Sequence, residues 1–289
     1  MFIQLLVSGV STGSIYALVA LSMAILVSSV NVVNFAAGDF VMVGAFLIVT
    51  TAAMWHFSYP LAVVIAFFLM GLLGYIFYRL AYYPLRRRGF LPVIISTVGC
   101  SLAFQNIAQI IWGSQPISAD PPLGIDLVKI GELTIQPQHI FILVITAIAL
   151  VIQYVLFEHL PIGRRLRAVA QDPDTASLMG VHVQLMVAIT FMWAAALGGL
   201  SGVLFAPVFF VTTSMGMMVG LKAFAALVIG GWGSIVGSIL GGLLVGIAET
   251  FLAAYVSSVY KDAFVFLILI LFLVVRPRGV MGERTLERV

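Results

Sequence analysis

The sequence predicts an all-α polytopic membrane protein, with about eight spans plus broken or re-entrant helices, and an internal repeat. Three observations predict it. Charged residues are 9% of the chain, against roughly 25% in a soluble domain, and mean hydropathy is +1.18. Apolar runs suited to a hydrocarbon core of ~30 Å recur along the whole length. Glycine is abundant, at 27 residues, which suits close helix packing in lipid. A β-barrel would need alternating short segments, and none occur. The single cysteine, Cys100, lies in an apolar run, so no disulfide framework exists.

The elements follow in order. Phe2–Val27 is the first apolar run, and Ser28–Asn34 breaks it. Phe40–Trp55, Pro60–Tyr78 and Leu91–Trp112 are the next three. The stretch 113–138 carries Pro116, Pro121, Pro122 and Pro137 and is too broken to span. Ile140–Phe157 and Val183–Val211 flank a polar island. Val219–Ile229 is short and ends in Gly230-Gly231-Trp232-Gly233-Ser234. At ~1.5 Å per residue it falls short of the core, so a broken or re-entrant helix is expected there. Ile235–Val256 and Ala263–Val275 complete the set.

The basic residues orient the chain. Arg79, Arg86, Arg87, Arg88, Arg164, Arg165, Arg167, Arg276, Arg278, Arg284 and Arg288 are 11 of the 14 Lys and Arg. Alternating spans put them all on one side, and the positive-inside rule makes that side cytoplasmic. The C-terminus is then inside and the Pro-rich stretch outside.

Gly163–Gly180 is the one long polar island deep in the chain. Arg164–Gln171 has good helix formers, with Leu166, Val169 and Ala170 as its apolar positions. Asp172-Pro173 is a start signal for a second short helix, and Gly180 is a stop signal. Two short helices along the membrane surface make a knob for a soluble partner. The competing reading is an ordinary loop whose Arg residues only set topology.

Two interrupted segments, at Asn31–Asp39 and near Gly230–Ser234, are the pattern expected of a transporter with repeated halves. Phe35-Ala36-Ala37 and Phe224-Ala225-Ala226 echo each other beside them. Polar residues in or beside the spans mark candidate path positions: Asn34, Asp39, Gln105, Asn106 and Glu249. Asp39 also reads as a helix N-cap, Gln105 and Asn106 as interhelical bonding residues, and Lys222 as a snorkelling side chain. No Gly-x-x-x-x-Gly-Lys-Ser/Thr phosphate loop occurs, and the four His residues lack metal-ligand spacing. No enzymatic site, metal or nucleic-acid partner is expected.

The chain resembles the permease subunits of branched-chain amino acid ABC importers, the LivH type, over nearly its whole length. The resemblance rests on Gly13-Ser14-Ile15-Tyr16-Ala17-Leu18, Val33-Asn34-Phe35-Ala36-Ala37-Gly38-Asp39-Phe40 and Pro84-Leu85-Arg86 before Ile95-Ser96-Thr97-Val98-Gly99. It also rests on Arg167-Ala168-Val169-Ala170-Gln171-Asp172, on Phe224-Ala225-Ala226-Leu227-Val228-Ile229-Gly230-Gly231 and on Arg276-Pro277-Arg278-Gly279. Where the family usually has His-Gly-Glu, this chain has Ala37-Gly38-Asp39.

The resemblance implies a single transmembrane permease domain, 1–289, in the inner (cytoplasmic) membrane, with 163–180 as its cytoplasmic coupling segment. It implies a second related permease, two ATP-binding cassette subunits that use ATP, and an extracytoplasmic solute-binding protein. The permease itself would hold no cofactor. Arg164, Arg165, Arg167, Ala168, Gln171 and Asp172 are the expected coupling residues. Two other readings stay open: the same machine for urea or short amides, and a self-sufficient secondary transporter.

Overall fold

In the computed structural model, residues 2–122, 124, 128–130, 133–277 and 279–281 are described. Arg278, Arg284 and Arg288 of the orientation argument lie outside them. The chain forms helices α1 Phe2–Val30, α2 Ala37–Ile48, α3 Tyr59–Phe77, α4 Phe90–Trp112, α5 Pro137–Tyr154, α6 Pro161–Gln171 and α7 Pro173–Leu178. Helices α8 Val183–Phe205, α9 Met215–Gly230, α10 Ile235–Tyr255 and α11 Lys261–Val275 follow. A small antiparallel hairpin, β1 Val128–Ile130 and β2 Leu133–Ile135, sits in the Pro-rich stretch. Helices α2, α3 and α5 each run on into a wider π-helical turn, at Val49–Met54, Tyr78–Tyr82 and Val155–His159. Among the described residues six helices are long and apolar enough to cross a membrane, and two shorter apolar ones, Ala37–Ala52 and Met215–Gly230, join them.

Helix α1 is the axis. Nearly every residue from Ser11 to Val27 is buried inside the protein. In lipid, burial of an apolar helix gains little from the hydrophobic effect, so close packing must hold it. Its partner α10 supplies the fit. Gly9, Gly13 and Ala17 on α1 face Gly242, Gly246 and Thr250 on α10, each set at four-residue spacing. A Cβ at Gly13 would lie 2.8 Å from Leu243 Cα, so the backbones touch. Gly237 and Gly241, on a second face of α10, meet Gly230 and Ala226 of α9 in the same way.

Helix α8 is the second buried rod, and α2 and α3 pack on it. Helix α4 is the opposite case, with only 11% of its apolar window buried. Its C-terminal end is fastened to α2 by Trp112, which stacks on Phe46 at 4.8 Å and donates to Thr50 Oγ1 at 2.8 Å.

The interruption between α1 and α2 is shorter than the polar residues suggest. Helix α1 runs through Ser28 and Ser29, whose small side chains do not stop it, and ends where Asn31 takes a positive φ of 50°. Helix α9 starts at Met215, four residues before the apolar run read from the sequence, because Met217 and Met218 are good helix formers. Its other end is a tight turn with Gly231 at φ 122° and Gly233 at φ 76°. There Ser234 Oγ caps α10 by accepting from Gly237 N at 3.0 Å. The tail after α11 covers that turn: Val280 N donates to Ile229 O and Met281 N to Gly230 O, both at 2.8 Å.

Candidate functional site: an amphipathic cavity and a surface knob

The two short helices meet at glycines. Gly38 of α2 lies against Gly216 and Gly220 of α9. The echoed phenylalanines come together as a result: the rings of Phe35 and Phe224 stack at 6.2 Å. Beside this crossing lies a cavity of about 330 Å³, bounded by the α1–α2 connection, α4 and α9. Phe35, Met217 and Phe224 give it apolar walls, and Asn34, Ser101 and Gln105 give it polar ones. Leu102 and Met217 on its lining are largely exposed, so it opens sideways on the surface of the chain.

The polar wall is held in place by neighbours. Gln105 Nε2 donates to Asp39 Oδ1 at 3.0 Å and to Ser101 Oγ at 3.3 Å. Asp39 is buried in the first turn of α2, where the helix dipole favours a carboxylate. Phe35 N donates to Thr97 Oγ1 at 3.3 Å, which ties the loop to α4. Asn34 Oδ1 accepts from Ala36 N at 3.0 Å, and so orients the side chain. Its Nδ2 is fully buried and has no protein partner. A buried donor left in this state costs about 1–3 kcal/mol. The cavity therefore presents the Ser101 hydroxyl and the fixed Gln105 amide beside aromatic walls, with Asn34 buried in its wall. Such a lining suits a small solute with one apolar and one polar end, and its volume sits at the low end of small-molecule pockets, ~300–1,000 Å³.

A second polar cluster stands apart from the cavity. Lys222 of α9 lies 2.8 Å from Glu249 Oε1 of α10 and 2.6 Å from Asp262 Oδ1 at the start of α11. Lys261 Nζ is 3.2 Å from the same Glu249 oxygen. Tyr16 Oη, from α1, donates to Glu249 Oε2 at 2.7 Å. Lys222 and Glu249 are both buried.

The polar island 163–180 folds as α6 and α7. Leu166, Val169 and Ala176 are buried and anchor them to the bundle. Asp172 joins the two helices. Its Oδ1 accepts from Asp174 N at 3.0 Å and Thr175 N at 3.2 Å, and Thr175 Oγ1 donates to Oδ2 at 2.5 Å. These bonds, those of Thr175 foremost, hold its carboxyl below the usual range. Gly180, at φ 81°, ends α7, with Val181 N closing back on Ala176 O at 3.0 Å. Arg164, Arg165 and Gln171 are exposed, and Ala168 is half-buried against the core. Arg167, also exposed, folds back on the turn ahead of α6: Nη1 donates to Phe157 O at 2.5 Å and to Glu158 Oε2 at 3.1 Å. The tip of the knob is apolar, with Leu178 and Met179 exposed by 89% and 80%.

Residues 5–273 match the family described as branched-chain amino acid transport system / permease component. The chain belongs to that family. The permease is 34% identical to the high-affinity branched-chain amino acid transport system permease protein LivH of Salmonella typhimurium, over all of this chain and 98% of the relative. It is 35% identical to the corresponding protein BraD of Pseudomonas aeruginosa, again over all of this chain and 98% of the relative. A guanosine ABC transporter permease protein, NupQ of Bacillus subtilis, is 32% identical over 45% of this chain and 40% of its own length. No solved structure matches. These relatives are permease proteins of transport systems, so the chain is a multi-pass membrane permease and not an enzyme.

Within the permease, three of the five path candidates meet: Asn34 and Gln105 line the cavity and Asp39 braces Gln105. Asn106, one residue along α4, faces outward, where its Nδ2 donates to Leu102 O at 2.7 Å. Glu249 belongs to the ion cluster. Lys222 does not snorkel. Two carboxylates and a phenol hold it inside, because α9 carries it seven residues past the helix start, beside α10. Sequence reasoning missed Tyr16, Lys261 and Asp262 as members of that cluster, and it missed the Leu178–Met179 tip. The adjacent Lys261-Asp262 pair just ahead of an apolar run was the available signal for the first.

Proposed function

We propose that this permease is one membrane subunit of an ATP-driven importer for branched-chain aliphatic amino acids. It pairs with a second, related permease, two ATP-binding cassette subunits and an extracytoplasmic solute-binding protein. It holds no cofactor itself, and ATP is used by the cassette subunits. The observation that carries the reading is the laterally open cavity between α4 and α9. Its aromatic walls suit a branched aliphatic side chain, and the partly exposed Ser101 and Gln105 suit the polar end of an amino acid. A cavity open on one side of the chain is half a path, and the second permease closes it.

The basic knob and the C-terminus face the cytoplasm. The knob lies at the same end of the bundle as Ser28 of α1 and Ile235 of α10, which share a small cavity with Arg167. Displacement of the knob by a cassette subunit is therefore delivered directly to the ends of two packed helices, and α10 hands it to α9. Full-length similarity to LivH and BraD supports the solute class.

The test is reconstitution of the complete importer in proteoliposomes with its solute-binding protein. ATP-dependent uptake of leucine, isoleucine or valine is expected, with urea and guanosine as competitors that do not inhibit. Uptake driven by an ion gradient through the purified chain alone, without ATP, would overturn the reading.

A further inference from the structure

Helix α9 has two faces with different duties. At 3.6 residues per turn, each residue advances by about 100°. Met217, Gly220, Leu221 and Phe224 line the solute cavity, and on the helix they fall within an arc of about 100°. Lys222 lies about 150° from the middle of that arc, on the far face. There it reaches Glu249 of α10 and Asp262 of α11, with Tyr16 of α1 bonded to the same glutamate. Three helices and the axis of the bundle are thus pinned to one ammonium group.

Stability alone does not account for such a cluster. Apolar residues of similar size would serve as well in a buried site, because desolvating paired charges offsets most of their attraction. What an ion cluster does provide is register. Lys222, Lys261, Glu249 and Asp262 sum to zero charge, so the arrangement is complete only with all four in place. Turning α9 by one residue, or sliding it by one helical turn, would strand a charge among buried apolar neighbours such as Val265 and Ala223. The glycine contacts cannot fix this register by themselves. Gly216 and Gly220 meet α2 through close backbone contact, which is not directional.

We propose that Lys222 is a positioning residue for solute passage: clamped by Glu249, Asp262 and Tyr16, it sets the rotation and depth of α9, and so presents Gly220, Leu221 and Phe224 to the solute. This rests on the cavity being the solute path. Lys222 acts through α9 and touches no solute.

The test uses the complete importer with Cys100→Ser as background, which removes the sole cysteine. Leu221→Cys reports the cavity face, and Ala223→Cys reports the buried side of α9. With the clamp intact, a small impermeant thiol reagent labels the first and spares the second. Lys222→Met with Glu249→Met keeps the cluster neutral, since Lys261 and Asp262 remain. In that double variant, labelling at Leu221→Cys is expected to fall at least fivefold, or Ala223→Cys to become reactive. Solute moved per ATP hydrolysed is expected to fall at least threefold while the cassette subunits stay bound. Lys222→Arg, which keeps the charge, should retain the original labelling pattern.

An assembled double variant with unchanged labelling and unchanged solute per ATP would overturn the proposal. If the double variant does not assemble, Tyr16→Phe removes one hydroxyl from the clamp. A shift in labelling of twofold or more is then expected, and an unchanged pattern would overturn it equally. Labelling is read without any solute. Failure of branched-chain amino acid uptake by the unmodified importer would remove the proposed solute and leave the labelling result standing.

Discussion

Gly38→Ala is the most direct probe of the crossing on which the cavity depends. A methyl group on Gly38 would sit 2.8 Å from both Gly220 Cα and Gly220 N, with Gly216 O nearer still. Carbon atoms rest at about 3.5–4.0 Å, so α2 and α9 must separate by roughly 1 Å there. The atoms in the way are backbone, and no side chain can swing aside. Overpacking of this kind costs about 1–3 kcal/mol, while the helix propensity of Ala over Gly returns at most about 1 kcal/mol. The melting temperature should fall by a few degrees, at about 2–4 °C per kcal/mol for a chain of this size.

Transport should fall further than stability, by at least tenfold, because Gly220 is itself part of the cavity wall. The control is Gly99→Ala on α4, whose added methyl meets nothing within 4 Å. It should leave transport unchanged and melting unchanged or raised by up to about 2–4 °C. The assays are thermal unfolding in detergent and ATP-dependent uptake in proteoliposomes. Wild-type uptake by Gly38→Ala, at an unshifted melting temperature, would refute the close-contact reasoning.

Three further outcomes are expected. Asn34→Leu should lower uptake at least tenfold and lower the melting temperature by a few degrees, since it removes the acceptor of the buried Ala36 N; a loss of assembly in parallel with uptake would speak against a role in the path. Leu178→Ser with Met179→Ser should release the cassette subunits from the purified complex at least tenfold more readily, because the knob's apolar tip is its most exposed part; unchanged co-purification would show that the flanking arginines suffice. Asp172→Ala should loosen the knob and weaken cassette retention, with Asp172→Asn much milder because it still caps α7. The carboxyl of Asp172 is held below its ordinary range, so the cap is in force at and above the ordinary pKa of ~3.9 and is lost only as pH falls through the lowered value. Cassette retention should therefore be flat between about pH 5 and pH 8, and a midpoint inside that window would contradict the assignment.

The spans were legible because an apolar run has to appear in sequence, whatever it packs against. The knob was legible for a related reason: Asp172-Pro173 and Gly180 are local chemistry, and a cap needs only its own next three residues. The cavity was half legible. Asn34 and Asp39 announced themselves as polar residues beside an apolar run, but nothing local separates Gln105 from Asn106. A helix turns by about 100° between them, and only the docking of α4 decides which one faces α2. The same limit explains Lys222. An isolated cation in a short apolar helix reads as snorkelling, and its partners lie 27 and 40 positions away on two other helices. The apolar tip at Leu178–Met179 was not legible, because exposure of two large apolar side chains is decided only by how α7 docks and leaves them without cover.

Helix α9 ties these observations to one physical idea. Its cavity face is made of side chains that grip weakly and differ in size, and its crossing with α2 is made of glycine. Such a helix is free to slide unless something directional holds it. The clamp at Lys222 holds its middle, and the tail at Val280 and Met281 holds its C-terminal end through two backbone bonds of 2.8 Å. The α9–α10 turn lies at the end of the bundle where the knob sits, since Ile235 shares a cavity with Arg167. Force arriving at the knob therefore meets α9 at the end secured by the tail, while the ion cluster resists it from the middle. A motor that moves α9 must strain both attachments together. Loss of either one should then uncouple ATP hydrolysis from solute movement before it unfolds the protein.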